Sequence, residues 1–197
     1  PMAPEKRTRQ VTDPLAMRAL AHPLRLRLLR LVRERHPITG AELSGLVGES
    51  SASVSYHLSI LARHGFIEPD LDAAPSRRYK PWRAAFDSIT TVSDGLGGPL
   101  TETPEGALLG AMLTDSRQQQ DSYVGRHQDL PEPWRDVAIF SFSSLLLLPE
   151  EVDQVAAEVR AVLDRFDRSH GAGREPEGAG RVSVSFVAVP DVPEHRS

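Results

Sequence analysis

The chain has 197 residues, 40% of them apolar and 25% charged, which is long enough for one large domain or two small ones with a real core. It contains no cysteine, so disulfides, thiolate metal sites and cysteine nucleophiles are excluded; no run approaches the ~18–20 apolar residues of a membrane span. The formal charge of −4 is unevenly spread: residues 1–83 hold 14 Lys and Arg against 8 Asp and Glu, a net +6, and residues 84–197 hold 9 against 19, a net −10. A basic half joined to an acidic half implies an anionic partner for the first and a different task for the second. With no cysteine in the chain, a reducing cytoplasm is the expected compartment.

Residues 1–12, PMAPEKRTRQVT, read as a basic arm. Asp13-Pro14 then starts a helix, an N-cap acceptor followed by Pro at the first helical position, running through Leu15, Ala16 and Leu20. His22-Pro23 starts a second, with Leu24, Leu28, Leu31 and Val32 on one face and an end near Arg35. Thr39 caps a short third helix that Gly48 stops. After a tight turn at Glu49 and Ser50, a fourth runs from a Ser50 or Ser51 cap to His64-Gly65. Phe66–Pro69 and Arg77–Trp82 read as two short strands around the turn-rich DLDAAPS. Helices in this order, with the last two closely joined and a hairpin behind them, describe a winged helix-turn-helix over residues 13–87.

Residues 88–103 read as a Gly/Thr/Ser-rich linker, and residues 104–197 as an acidic dimerisation or regulatory region. Thr103-Pro104 opens a helix whose stripe is Leu108, Leu109, Met112 and Leu113, extending to about Val124. A short helical stretch near Trp134 precedes a buried strand, Ser143–Leu148. A helix follows from Pro149, with Val152, Val155, Val159, Val162, Leu163 and Phe166 as its buried face. After the connection 170–180, residues 181–189 alternate strictly and predict a second strand. The expected fold class is mainly α with a small β part: a winged helix-turn-helix domain followed by an α/β C-terminal extension.

The fourth helix carries the sharpest signal. Placing Val54 at 0° and advancing ~100° per residue brings Leu58 and Leu61 within about 40° of it. Ala52, Tyr56, Ser59 and Arg63 lie within about 40° of the opposite pole, flanked by Ser53 and Ser55. A solvent face this small and polar suits entry into a groove about 12 Å wide, with Tyr and Ser donating to base edges or phosphates. Ser50 and Ser51 beside the free N–H groups of the helix start suit a phosphate. His57, at about 300°, lies at the core edge as a packing residue. Arg77, Arg78 and Lys80 on the second wing strand suit phosphate or minor-groove contact. The arginines at 25, 27, 30, 33 and 35 read as structural ion pairs and a general positive field.

ALAHPLRLRLLRLV (19–32), GAELSGLVG (40–48), SASVSYHLSILARHGFIE (51–68) and SRRYKPW (76–82) together resemble the ArsR/SmtB-type winged-helix repressors, over residues 13 to about 83. The resemblance implies a homodimeric transcriptional regulator with the helix at 51–63 in the major groove of double-stranded DNA. The chain departs from the thiolate metal sensors of that family, having no Cys in the helix at 40–48, and its acidic half lacks the Asp/His spacing of the family's C-terminal zinc sites; no metal and no cofactor is expected. Leu15 and Leu20, with Leu108, Leu109, Met112 and Leu113, are the expected dimer seam, and the extension either senses a small-molecule effector or sets the dimer.

No catalytic constellation competes with this. His22, His36, His64, His127, His170 and His195 are scattered, and HExxH, GxSxG and P-loop motifs are absent from the sequence. Asp121, Asp129 and Glu132 near His127 read as a solvated loop rather than a metal site. The chain is expected to be no enzyme, and the alternative function is an architectural or protein-interaction module whose acidic region docks a partner.

Overall fold

The structure, a computed structural model, describes residues 7–73, 79–86, 88–90, 99–166 and 177–191. The chain is mainly helical with a small three-stranded antiparallel sheet, and it divides into a unit over Pro1–Asp121 and a second over Ser122–Ser197.

In the first unit the helix starts are set by local chemistry. Asp13 caps α1 (Pro14–Leu20), its carboxylate accepting from the N–H groups of Leu15 and Ala16 at 3.1 and 3.2 Å. His22 caps α2 (Pro23–Arg35), its Nδ1 accepting from Leu24 N–H at 3.2 Å. Thr39 opens α3 (Gly40–Val47) with a reciprocal box: Glu42 N–H donates to Thr39 Oγ1 at 3.3 Å, and Thr39 N–H donates to Glu42 Oε2 at 2.7 Å. Thr39 Oγ1 also donates to Glu42 Oε2 at 2.7 Å, and this bond, then the one from Thr39 N–H, holds the Glu42 carboxyl below its ordinary value. Thr39→Ala is expected to cost about 1 kcal/mol in chemical denaturation. Part of that cost vanishes in acid, because a lowered carboxyl pKa contributes stability above its unfolded value and loses it as pH falls through the folded one.

Gly48 ends α3 at φ 75°, a left-handed position that a Cβ would strain, and α4 (Ser51–Arg63) follows with Ser50 as its N-cap, accepting from Ser53 N–H at 3.2 Å. Arg27 of α2 reaches across to the last carbonyls of α3, donating to Leu46 O at 3.1 Å and Val47 O at 3.5 Å. A cation there satisfies orphan acceptors and complements the helix dipole. Arg30 pairs with Glu34 and Asp115, each at 3.7 Å. The core joins Leu28, Leu31 and Val32 of α2 to Leu43 of α3, to Val54, Leu58 and Leu61 of α4, and to Phe66.

Three short strands close this core. Counting β1 (Thr8–Gln10) first, β2 (Ile38–Thr39) pairs antiparallel with β4 (Pro81–Ala84), which also pairs antiparallel with β3 (Ile67–Pro69). The register sets Ile67 opposite Ala84, Glu68 opposite Arg83, and Pro69 opposite Trp82. Among the described residues the second wing strand is Pro81–Ala84, with Tyr79 and Lys80 before it, and the Arg77 and Arg78 part of the expected strand lies outside the described residues. Burying Pro81 and half-burying Trp82 and Ala84 anchors those residues to the core, whereas Lys80 before them is exposed.

Thr8–Gln10, within the stretch read as a basic arm, pair in parallel with β5 (Ser88–Thr90), within the stretch read as a linker, and Val11 is 1% exposed. Arg9 fastens this edge. Its guanidinium lies 4.6 Å from the Phe66 ring centre and 5.1 Å from that of Phe86, while Nη1 donates to His64 O at 2.8 Å and Gly65 O at 3.0 Å.

α5 (Pro104–Arg126) opens after a 3-10 turn at Leu100–Glu102, and Leu108 joins the core of the first unit. Its residues from Ser122 on belong to the second unit, as do a 3-10 turn at His127–Asp129, α6 (Glu132–Arg135) and α7 (Pro149–Phe166). Tyr123 OH donates to Arg135 O at 2.8 Å, and Arg135 Nε to Leu130 O at 2.8 Å.

Two expectations for this unit are corrected. Residues 143–148 and 181–189 are not strands, and the apolar side of α7 is not buried: Val162 and Leu163 are 42% and 38% exposed and Phe166 72%. Alternation assigns side chains to two faces, but a strand exists only where another lies alongside at hydrogen-bonding distance, and no ladder forms among the described residues of this unit.

Candidate nucleic-acid interface

The core of α4 is one tight face, Val54, Leu58 and Leu61 at 0–2% exposure. Its outward face presents Ser51, Ala52, Ser55, Tyr56, Ser59 and Arg63, all exposed, with Ser53 half-buried at the margin. The helix is 13 residues long, about 20 Å, and the tyrosine near its middle is 63% exposed. An aromatic phenol so placed on a helix of small neighbours is a polar tip available to a partner.

The hydroxyls are not equivalent. Ser50 Oγ is occupied as the N-cap acceptor. Ser59 Oγ donates its proton to Tyr56 O at 2.7 Å, so towards a base it presents lone pairs rather than a donor. Ser51 and Ser55 stand exposed beside them.

In the wing, Arg83 is held by acids of the hairpin: Glu68 at 2.8 Å, Asp72 at 3.6 Å and Asp70 at 3.8 Å. The hydrogen bond that Arg83 Nε donates to Glu68, then the charge of Glu68, pushes the guanidinium pKa up. Lys80 is exposed beside this network. Arg77 and Arg78 lie outside the described residues.

Of the residues read as a dimer seam, Leu20 and Leu108 are core residues of the unit itself, 1% and 2% exposed. Leu15 (66%), Leu109 (40%), Met112 (45%) and Leu113 (45%) face outward. α5 thus joins the core of the first unit through Leu108 and leaves an apolar stripe uncovered.

A site feature that sequence reasoning missed lies beside Tyr56. The His22 and His57 rings stand 4.6 Å apart, centre to centre, and Tyr56 meets the His57 ring at 5.3 Å, nearly edge-on. Burial, then Arg25, lowers the His22 pKa; burial, then His22 and Arg25, lowers that of His57 against an opposing pull from Glu49. The signal was present as His22 and Arg25 at the start of α2, but only the packing of α2 on α4 joins them to position 57.

Residues 20–70 match the family model of a helix-turn-helix domain. The matched segment takes in α2, α3, the Gly48 turn, α4 and β3. No curated protein matches the chain. Among the described residues no helix is long and apolar enough to cross a membrane.

Proposed function

We propose that the chain is a sequence-specific transcriptional regulator of the ArsR/SmtB winged-helix type, a repressor that binds a twofold operator as a homodimer in the cytoplasm and acts by occupancy rather than catalysis. The observation that carries the reading is the outward face of α4, where Tyr56 stands exposed among Ser51, Ala52, Ser55 and Ser59 in the second helix of a helix-turn-helix domain. Seated in the major groove, Tyr56 and the serine oxygens address base edges, and Arg63 at the far end addresses the backbone. The wing's Lys80, with Arg77 and Arg78, supplies further phosphate contact, in keeping with the +6 charge of residues 1–83.

The outward stripe of α5, Leu109, Met112 and Leu113, together with Leu15 of α1, supports a seam between two copies. The second unit is where an effector would act on that dimer, and no effector chemistry is assigned to it.

The test is electrostatic. Titrating the full chain onto duplex DNA should give a log K that falls linearly with log[salt]. Lys80→Ala should reduce that slope by about 1 for each phosphate the lysine neutralises, equally on all sequences. Binding that is flat between low and physiological salt contradicts the reading.

A further inference from the structure

Position 57 of the recognition helix sits among basic side chains that a single acid, Glu49, opposes. His22 stacks on His57 at 4.6 Å, Arg25 lies beside both, and Tyr56 closes the edge at 5.3 Å from His57. Arg25 Nη2 donates to Arg18 O at 3.1 Å, which fixes the guanidinium, yet its Nε is buried without a hydrogen-bond partner. His57 Nδ1 is buried and unpartnered as well. Buried nitrogens left unsatisfied are costly, and Arg25 Nε and His57 Nδ1 share that state with Arg30 Nε further along α2, so the donors this cluster can offer a ligand are its other ring and guanidinium nitrogens.

The groups facing His57 are His22 and Arg25 from α2, Glu49 from the turn before α4, and Tyr56 from α4 itself. Glu49 is the one acid among them. The tautomer of His22 follows from its capping bond. Nδ1 accepts from Leu24 N–H, so the ring proton of the neutral imidazole resides on Nε2, and that nitrogen is a donor. The cluster therefore offers a permanent cation in Arg25, a neutral donor in His22, and a second imidazole that gains a proton when an anion arrives.

Its position selects the anion. His57 lies next to Tyr56 on the flank of α4, and a helix lying in a major groove about 12 Å wide has a sugar–phosphate strand along each flank. We infer that Arg25, His22 and His57 form a seat for one backbone phosphate diester of the DNA bound by α4, and that this phosphate fixes how Tyr56 meets the base edges. The inference rests on the DNA-binding reading and adds to it a site on α2, outside the recognition face and outside the wing. The lowered pKa of His57 in the free chain gives the seat a signature. Phosphate favours the imidazolium, so binding takes up a proton, and affinity rises as pH falls through the interval between the free and bound values.

The experiment uses the full chain and a short random-sequence duplex, since phosphate contact is independent of sequence. Arg25→Gln should weaken binding about 3- to 10-fold and lower the salt slope by about 1 per copy bound, and Arg25→Lys should restore the slope. His22→Asn keeps a capping acceptor for Leu24 N–H, so it leaves thermal stability near wild type while weakening binding several-fold with the salt slope unchanged. His57→Gln should remove the excess rise in affinity on acidification. If wild type binds with a normal salt slope and all three substitutions leave affinity, slope and pH dependence unchanged, the seat is wrong and the DNA reading stands. If wild type binds no duplex at all, both fall. Inorganic phosphate is the remaining arm: millimolar phosphate without DNA should leave the His22 and His57 ring resonances in place, and a saturable shift would assign the cluster to a free anion and overturn the proposal.

Discussion

Replacing both Leu109 and Met112 with Asp is expected to produce a folded monomer that binds its operator roughly 10²–10⁴-fold more weakly. The magnitude is the avidity that disappears when two linked half-sites are no longer engaged together. The fold should survive, because α5 joins the core of the first unit through Leu108, and residues 109 and 112 are 40% and 45% exposed. Two carboxylates on each copy, brought face to face, desolvate like charges and abolish the seam. Sedimentation reports the monomer and a gel-shift titration reports the affinity. A double variant that remains dimeric and binds normally removes α5 from the interface.

The second large effect concerns reading rather than holding. Tyr56→Ala truncates the exposed phenol on α4 without touching Val54, Leu58 or Leu61, so stability should hardly change. It should cost about 1–3 kcal/mol at one base position, shown as relaxed preference there with other positions unaffected. Ser59→Ala acts in the same direction at a neighbouring position; since its proton is bonded to Tyr56 O, the interaction removed is with a base donor such as an amino group. If Tyr56→Ala keeps both the preferred site and the affinity, α4 presents a different face.

What could be read from the sequence was local. Asp13, Thr39 and Ser50 announce helix starts because a capping bond spans two or three residues, and Gly48 announces a stop because only glycine takes its φ cheaply. The helix face of α4 follows from a single periodicity. Long-range partners were not legible. Arg9 acts on His64 and Gly65, and β1 pairs with β5 some 80 residues away. The wing strand slipped towards Trp82 because its register is fixed by Ile38 and Pro69, residues that the alternation of Arg77, Arg78 and Lys80 does not involve. Apolar stripes signalled burial for Leu20, Leu108 and Leu109 alike, yet the first two meet their own core and the third does not. Alternation at 181–189 likewise described the side chains and said nothing of a neighbour. The His22–Arg25–His57 cluster escaped for the same reason, being a product of the packing of α2 on α4.

Selecting binding sites from a pool of random duplexes with the full-length chain tests the central claim most directly. The account predicts enrichment of one twofold-symmetric sequence whose half-sites are centred about one DNA turn apart, ~34 Å, as two copies of α4 in successive major grooves require. The Tyr56→Ala chain should enrich the same sequence with one symmetric pair of positions blurred. Recovery of a pool with no sequence in common, from a wild-type chain that nonetheless retains DNA, contradicts the account and leaves a protein that holds DNA without reading it.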